Sequence, residues 1–143
     1  MERPKVQVKK LHPDAKVPSY AYEGDAGMDI FTVEDYTLQP GERHMFKTGI
    51  AMKIPDGYVG LGWDKSGLSQ KFGIKGMGGV FDSGYTGEWI WGLVNLSDEP
   101  HEFKVGDKIG QALIQEVAHA TIEEVDTLPE TERGEKKHGS SGK

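Results

Sequence analysis

The sequence contains no cysteine among its 143 residues. This absence excludes disulfide scaffolds, thiolate zinc sites, iron–sulfur clusters and cysteine nucleophiles. No stretch approaches the roughly 18 consecutive apolar residues that a membrane helix needs, so we expect no membrane partner. The first residues also lack the apolar segment of a secretory signal, and we therefore expect a cytoplasmic location.

A surplus of basic residues is missing as well. Lysine and arginine together number 17 against 23 aspartates and glutamates, which gives a net charge of −6. Proteins that bind nucleic acid usually present a basic patch or stripe to the phosphate backbone, so we expect no nucleic-acid partner. The five histidines lack the paired spacing of a metal-binding motif, so we expect no histidine-based metal site.

Glycine, in contrast, is abundant. The chain contains 20 glycines, and ten of them lie between Gly60 and Gly92, whereas glycine makes up only ~7% of an average protein. Glycine weakens helices by roughly 1 kcal/mol per residue relative to alanine. It also permits tight turns and a close approach of the backbone to a ligand. A binding site is therefore expected on glycine-rich loops or between subunits.

Short apolar runs separated by turn signals predict many short β-strands and an all-β sandwich or barrel. The predicted strands begin at Val6 or cover residues 28–31, 44–54, 58–63, 79–81, 88–94, 108–117 and 121–125. Only residues 66–72 suit a helix, and a short one. Residues 129–143 contain no large apolar residue, so we expect one domain over residues 1–128 and a mobile C-terminal arm over residues 129–143.

Two polar clusters are candidates for binding an anion. Lys65, Ser66 and Gly67 lie where a short helix would begin, so free backbone N–H groups could face a ligand. The structural alternative is that Ser66 only caps the helix. Residues 134–143 combine glycines, hydroxyls and cations that could surround a phosphate. They do not have the spacing of a P-loop, and a disordered polar end is the alternative.

Three further residues are candidates for a site. Asp82 lies between apolar strand residues and a turn, where an aspartate either forms the turn or acts as a general base for a water molecule. Tyr85 could stack on a sugar or base, or be an ordinary half-buried strand residue. Asp29 stands at the start of a predicted strand, where a turn role is the simpler interpretation.

The order of these clusters along the chain resembles the trimeric dUTPase (dUTP diphosphatase) family. Five segments match that family's five motifs in order, and they cover residues 24–30, 65–68, 79–88, 106–114 and 133–142. Five ordered motifs over nearly the whole chain are far more specific than any one of them. The related dCTP deaminases share the fold and two motifs, so a deaminase or bifunctional enzyme is one alternative. A nucleotide-binding regulator without catalysis is another.

The resemblance implies a fold, an assembly and a reaction. The fold would be a distorted β-barrel or jelly roll that forms a homotrimer with active sites at the subunit interfaces. The reaction would be Mg²⁺-dependent hydrolysis of dUTP to dUMP and diphosphate, which removes dUTP and supplies dUMP for thymidylate synthesis. The C-terminal arm would close over the bound nucleotide.

The resemblance also implies roles for individual residues. Asp82 would activate the attacking water, and Tyr85 would pack against the deoxyribose. Asp29 would support a network of waters around Mg²⁺, which substrate phosphates and water would hold without direct protein ligands. The other implied substrate-binding residues are Lys65, Ser66, Gly67 and Gln111 for the phosphates, Met77, Gly79 and Val80 for uracil, and Arg133, His138, Gly139, Ser140 and Ser141 in the arm.

Four departures from the family pattern are visible. Lysine stands at positions 65 and 108 where arginine is usual, which keeps the charge but loses bidentate geometry. Gly84 replaces the usual second acid of the third motif. Lys136-Lys137-His138 replaces Gly-Gly-Phe, so an imidazole would take over the stacking on uracil.

Overall fold

The computed structural model describes residues 2–136, which contain ten strands and one short π-helical turn, Gly67–Lys71. No helix in this part of the chain is long and apolar enough to cross a membrane. In chain order the strands are β1 (Gln7–Lys10), β2 (Met28–Phe31), β3 (Tyr36–Leu38), β4 (Arg43–Lys53), β5 (Tyr58–Trp63), β6 (Ile74–Met77), β7 (Val80–Phe81), β8 (Glu88–Asn95), β9 (His101–Phe103) and β10 (Lys108–Glu116).

The strands form three antiparallel sheets around one hydrophobic core. Their orders are β1-β4-β8-β6, β2-β10-β5-β7 and β3-β9. All three sheets contribute buried side chains to the same cluster, for example Ile30 from β2, Phe46 from β4 and Phe103 from β9. The predicted all-β architecture is therefore confirmed, and closure of several short sheets around one core gives the distorted barrel that was expected.

Strand β8 shows why alternation specifies this core. Trp89, Trp91 and Leu93 are buried on one face, whereas Ile90 on the other face is exposed. Phe81 stacks on Trp89 with ring centroids 3.8 Å apart, so β7 is fixed against the core just before Asp82. This packing places the acidic turn of the third motif at the edge of a rigid sheet.

Strand β4 contains an irregularity that matters for the interpretation of Glu88. The register between β4 and β8 shifts between Lys47 and Ala51, and Gly49 there has a φ of +68°, which favours glycine. The N–H of Gly49 donates to a Glu88 carboxylate oxygen at 3.0 Å. Glu88 therefore satisfies a backbone donor that the bulge leaves without a ladder partner.

Several predicted elements need correction. The helical turn and seven of the strands are present with small changes of boundary, but β3, β6 and β9, of three or four residues each, were missed. The predicted strand at residues 121–125 is wrong. This segment pairs with no strand in residues 2–136, and Ile122 is 87% exposed. A β-like sequence without a neighbouring edge has no partner for its backbone groups.

Candidate active site

A buried carboxylate that holds two lysines is the centre of the first half of the site. Asp29 on β2 is only 2% exposed. One of its oxygens accepts from Lys65 Nζ at 2.7 Å, and the other lies 3.1 Å from Lys108 Nζ. Strand β10 pairs with both β2 and β5. This arrangement brings Lys108 at the start of β10 and Lys65, the second residue after β5, to the same carboxylate.

The charge balance of this cluster favours an anionic ligand. Burial alone would raise the pKa of Asp29, but the hydrogen bonds and charges of Lys65 and Lys108 hold that pKa below its ordinary value. Asp29 is therefore ionised, and two ammonium groups against one carboxylate leave one net positive charge. The lysine side chains are 30% and 50% exposed, so that charge can reach a ligand. These are the two positions where the family has arginine.

Gln111 on β10 connects this cluster to the neighbouring strands. Its backbone pairs with Asp29 on one side and with Trp63 on the other, and its side-chain amide donates to the carbonyl of Asp64 at 2.9 Å. A Cβ at Gly27 would lie 2.3 Å from the Gln111 side-chain oxygen. Glycine at position 27 therefore makes room for the amide.

Ser66 and Gly67 follow Lys65 at the beginning of the helical turn. Ser66 makes no capping hydrogen bond through its hydroxyl, so the helix-cap alternative is not supported. Both residues are exposed, and a Cβ at Gly67 would meet nothing within 4 Å. The structure therefore leaves open space at Gly67, two residues after Lys65.

A cavity of about 230 Å³ is lined by residues of β5, β6, β7 and β8, and also by Asp64, which directly precedes Lys65. Glycine backbone forms part of its wall, since four glycines line it; two of them, Gly78 and Gly79, have φ values of +76° and +123° and turn the chain between β6 and β7. The carbonyl of Gly79 accepts from Gly62 N–H at 2.6 Å, and a Cβ at Gly79 would lie 2.8 Å from the Gly62 carbonyl oxygen. The predicted base-binding residues Met77, Gly79 and Val80 all line this cavity.

Asp82 and Tyr85 occupy the turn beyond β7. Asp82 is exposed, and its backbone carbonyl accepts from Tyr85 N–H at 3.0 Å, so it does help to form the turn. Tyr85 is also exposed, and its hydroxyl donates to the carbonyl of Glu88. The ring is thus tied to its own hairpin with much of its surface open. The alternative of a half-buried strand tyrosine is not supported.

The chain by itself does not bring together the two halves of the predicted site, which are the cationic cluster around Asp29 and the turn that carries Asp82 and Tyr85. Phe81 pairs with Gly60, so Asp82 lies beside Val59. Lys65 is six residues after Val59 and two beyond the end of β5 at Trp63, a separation of up to roughly 20 Å at about 3.3 Å per residue. The carboxylate of Asp82 and the phosphate-binding candidates therefore lie at opposite ends of the same strand.

The arm contributes little to the described structure. Residues 117–136 form no strand or helix and are exposed throughout, Arg133 included. His138, Gly139, Ser140 and Ser141 lie outside the described residues. Among residues 2–136, no group of three or more aspartates, glutamates and histidines could hold a metal ion.

The sequence interpretation missed two residues between the halves of the site. Asp64 accepts from Gly76 N–H and from Lys75 Nζ, both at 2.6 Å. Trp63 lines the cavity and is 57% exposed. The sequence did offer a signal for both residues, because they directly precede Lys65. For Trp63 there was a second one, because it is an aromatic residue at the end of a strand rather than inside it.

Comparisons with known proteins agree with this arrangement. A family model described as dUTPase matches residues 13–142. The deoxyuridine 5'-triphosphate nucleotidohydrolase of Nocardia farcinica (strain IFM 10152) is 44% identical over 140 residues, which cover 96% of this chain and 85% of the relative. The enzyme with the same name from Thermobifida fusca (strain YX) is 41% identical over 141 residues, which cover 96% of this chain and 79% of the relative.

Solved structures of phage proteins show the same fold. A variant of the Staphylococcus bacteriophage 80alpha dUTPase with dUpNHpp has a TM-score of 0.88 at 32% identity, covering 96% of this chain and 98% of that chain. A variant of the dUTPase from phage phi11 of S. aureus, described with a coordinated structural Mg(II) ion, has a TM-score of 0.79 at 29% identity. That match covers 86% of this chain and 97% of the phage chain.

The fold, the site and these comparisons together define an all-β enzyme of nucleotide metabolism, with a glycine-containing cavity and a cationic cluster. Within that class, the chain belongs to the dUTPase family. The resemblance carried by the five sequence motifs is therefore confirmed, and the chain is a hydrolase that acts on dUTP.

Proposed function

We propose that this chain hydrolyses dUTP in the cytoplasm, with Asp82 as the general base. In this mechanism Asp82 takes a proton from a water molecule, and the oxygen of that water forms a bond to the α-phosphorus of dUTP. The bond between the α-phosphate and the β-phosphate breaks, which gives dUMP and diphosphate. The observation that carries the proposal is the pair of lysines held by Asp29, on a chain that also has a cavity lined by glycines and apolar side chains.

The cationic cluster supplies what phosphoryl transfer requires. Catalysis of this reaction depends on positioning and on neutralising charge more than on covalent chemistry. Lys65 and Lys108 provide two ammonium groups held at fixed positions by one buried carboxylate. Ser66, Gly67 and Gln111 add a hydroxyl, a backbone N–H and an amide for phosphate oxygens in the same region. Arg133 and the later residues of the arm would complete the cover when the arm closes.

The cavity supplies recognition of the base. A uracil ring presents alternating donors and acceptors, which match the N–H and C=O groups of an extended backbone. Gly78 and Gly79 line the cavity without side chains in the way, and although the Gly79 carbonyl already accepts from Gly62, a base can approach their other backbone groups closely. Met77 and Val80 close the cavity with apolar surface. This arrangement supports a planar, polar-edged base as the ligand.

Asp82 is suited to the role of base by its exposure and its position. A general base must lie within hydrogen-bond reach of the water that it deprotonates. The carboxylate stands on a turn fixed by the Asp82–Tyr85 backbone hydrogen bond and by the stacking of Phe81 on Trp89. Tyr85 lies beside it with an open ring face, where it can pack against deoxyribose.

The separation of the two halves supports a homotrimer with shared sites. A nucleotide that contacts Tyr85 and Asp82 of one subunit lies up to roughly 20 Å from Lys65 of that subunit. A second subunit can supply the phosphate-binding cluster instead. Three identical subunits arranged in a ring repeat this contact three times, which closes the assembly. Light scattering at micromolar concentration tests this point, and a monomer would contradict it.

Mg²⁺ fits this site mainly through the substrate. Both oxygens of Asp29 already bind ammonium groups, so Asp29 can hydrogen-bond waters around the ion but is not free to bind it closely. Mg²⁺ often binds chiefly through substrate phosphates and water, and the exposed carboxylate of Asp82 can also accept from such waters. When bound, the ion would neutralise charge on the triphosphate and orient it.

The deaminase alternative finds no support on β8. The dCTP deaminases have a glutamate at the position of Gly92, and a Cβ there would lie 2.7 Å from Met45 Cε. The nearest acid on that strand, Glu88, is engaged by the backbone of Gly49. A deaminase would need an acid to shuttle protons to the departing ammonia.

A panel of dUTP, UTP, dCTP and dTTP with Mg²⁺ tests the proposed reaction. Diphosphate, the nucleoside monophosphate and ammonia are measured separately. We expect dUTP to give dUMP and diphosphate, no ammonia from dCTP, and loss of turnover when Mg²⁺ is chelated. Binding of dUTP without turnover would instead support the non-catalytic regulator, and ammonia release from dCTP would support a bifunctional enzyme.

A further inference from the structure

Trp63 is exposed in a way that the other tryptophans are not. The chain has three tryptophans. Trp89 and Trp91 are buried in the core, whereas Trp63 at the end of β5 is 57% exposed. An exposed indole leaves a large apolar surface in water, and surfaces of this kind often mark binding sites. Its position two residues before Lys65 places this surface at the candidate active site.

The indole belongs to an apolar part of the cavity wall. Trp63 lines the cavity together with Met77 and Ile90, which are also exposed. The backbone between β6 and β7 forms the polar part of the same wall. A flat ring placed here would meet apolar side chains on its face and backbone groups at its edge, which is how pyrimidine bases are usually held.

Sheet register puts Trp63 next to the phosphate-binding cluster. Gln111 pairs directly with both Asp29 and Trp63. Directly paired residues of an antiparallel sheet project to the same face. The indole therefore lies in one row with the carboxylate that holds Lys65 and Lys108. Trp63 also lines the cavity, which Asp29, Lys65 and Lys108 do not, so a base bound there meets this indole while its phosphates reach the cluster of a neighbouring subunit.

The backbone around Trp63 is fixed on both sides. Before it, Gly62 N–H donates to the Gly79 carbonyl at 2.6 Å. After it, the Asp64 carbonyl accepts from Gln111, and the Asp64 carboxylate accepts from Gly76 N–H. An aromatic residue on such a held segment offers its surface at little cost in conformational entropy.

We propose that Trp63 is a substrate-binding residue whose indole packs against the pyrimidine ring of bound dUTP. The inference rests on the proposed function and assigns one of its specificity contacts. It also accounts for a departure in sequence, because His138 stands where the family has a phenylalanine to stack on uracil. Trp63 supplies aromatic surface from the rigid sheet in addition to whatever the arm supplies.

The test uses the full-length protein and the non-hydrolysable analogue dUpNHpp. We expect Trp63→Ala to raise the Kd for dUpNHpp roughly tenfold, in the range found for loss of a base-stacking residue. Trp63→Phe should keep most of the affinity because it retains a ring. Affinity for inorganic diphosphate should change less than twofold in both variants, since that ligand has no base. Tyr22→Ala, at an exposed tyrosine that does not line this cavity, is the matched control and should bind dUpNHpp normally.

Intrinsic fluorescence gives an independent measurement. Trp89 and Trp91 are buried, although Trp91 also reaches the cavity wall, so most of the change in emission on binding dUpNHpp should come from Trp63 and be lost in Trp63→Phe. Unchanged dUpNHpp affinity in Trp63→Ala would overturn the inference while leaving the proposed function intact. Dissociation of Trp63→Ala into smaller species by light scattering would overturn it too, by making Trp63 an interface residue. If the wild-type protein neither binds dUpNHpp nor hydrolyses dUTP, the proposed function fails and this inference fails with it.

Discussion

Replacing Asp29 with asparagine removes the charge that holds the two lysines while keeping the shape of the side chain. In the wild-type protein each carboxylate oxygen binds one ammonium group, at 2.7 Å for Lys65 and 3.1 Å for Lys108. An asparagine amide has a single, uncharged acceptor oxygen, so it can serve one lysine in place, while its NH₂ group faces the other ammonium as donor against donor. The Asp29→Asn protein should therefore be less stable and should position its lysines poorly.

The magnitude follows from the burial of the three side chains. Hydrogen bonds to charged groups contribute about 1.5–3 kcal/mol each when well shielded. Here the lysines are a third to a half exposed, so solvent screening reduces both contributions. We expect a loss of about 2 kcal/mol in the free energy of unfolding. Turnover should fall about 10-fold to 100-fold, because misplaced charges stabilise the reacting phosphate less.

The pH dependence gives the sharper assay. The pKa of Asp29 lies below its ordinary value of 3.8 in the folded protein. A group with a lowered pKa contributes stability that is present above its unfolded pKa and is lost as the pH falls through the folded pKa. The difference in the free energy of unfolding between the wild-type protein and Asp29→Asn should thus have its full size at neutral pH. It should shrink once the pH falls below the ordinary pKa of 3.8 and through the lower pKa of Asp29 in the folded protein.

Denaturant unfolding at a fixed protein concentration measures this difference at each pH. Glu102→Gln is the matched control, because Glu102 pairs with Lys104 at 3.4 Å on the surface with both side chains more than half exposed. Such pairs contribute about 0–1 kcal/mol. The reasoning would be refuted if Asp29→Asn cost no more than Glu102→Gln, or if the difference did not depend on pH.

Three further predictions concern the reaction itself. Asp82→Asn should keep its affinity for dUpNHpp but lose about 10²-fold to 10⁴-fold in turnover, as expected for a missing general base; a rate within a few-fold of wild type would remove Asp82 from the mechanism. UTP should be hydrolysed far more slowly than dUTP, because a 2′-hydroxyl packed against Tyr85 would be crowded and unpaired at a cost of roughly 1–3 kcal/mol. Equal kcat/KM for UTP and dUTP would contradict that role. Truncation after residue 128 should preserve the circular dichroism spectrum and the oligomer, since residues 129–136 are exposed, but should sharply reduce turnover; a fully active truncated protein would show that the arm is not needed.

The sequence predicted the strands whose side chains alternate against the core. Strand β8 was recognisable because Trp89, Trp91 and Leu93 recur at every second position and are buried. Strands β3 and β9 were missed because three residues are too few for a pattern to show. The strand predicted at residues 121–125 was wrong although its local pattern was clear. Its residues suit a strand, but no edge in residues 2–136 pairs with it.

The site was predictable as a set of residues but not as an arrangement. The motifs pointed to Lys65, Asp82 and Gln111, yet no local pattern indicates that Asp29 holds both lysines, since these residues are far apart in the chain. That contact depends on the register of β10 between β2 and β5. The same register leaves Asp82 at the far end of β5 from Lys65, which only the sheet topology reveals.

Subunit mixing tests most directly the central claim that each dUTP site combines Asp82 of one subunit with Lys65 of another. Asp82→Asn and Lys65→Ala proteins, each nearly inactive alone, are unfolded together in equal amounts and refolded. Random assembly in a ring gives about one quarter of the sites both intact residues, because each comes from a different subunit. We therefore predict recovery of about a quarter of wild-type dUTP turnover. No recovery from mixed oligomers that have formed correctly would contradict the shared site, because it would place both residues of each site on one chain.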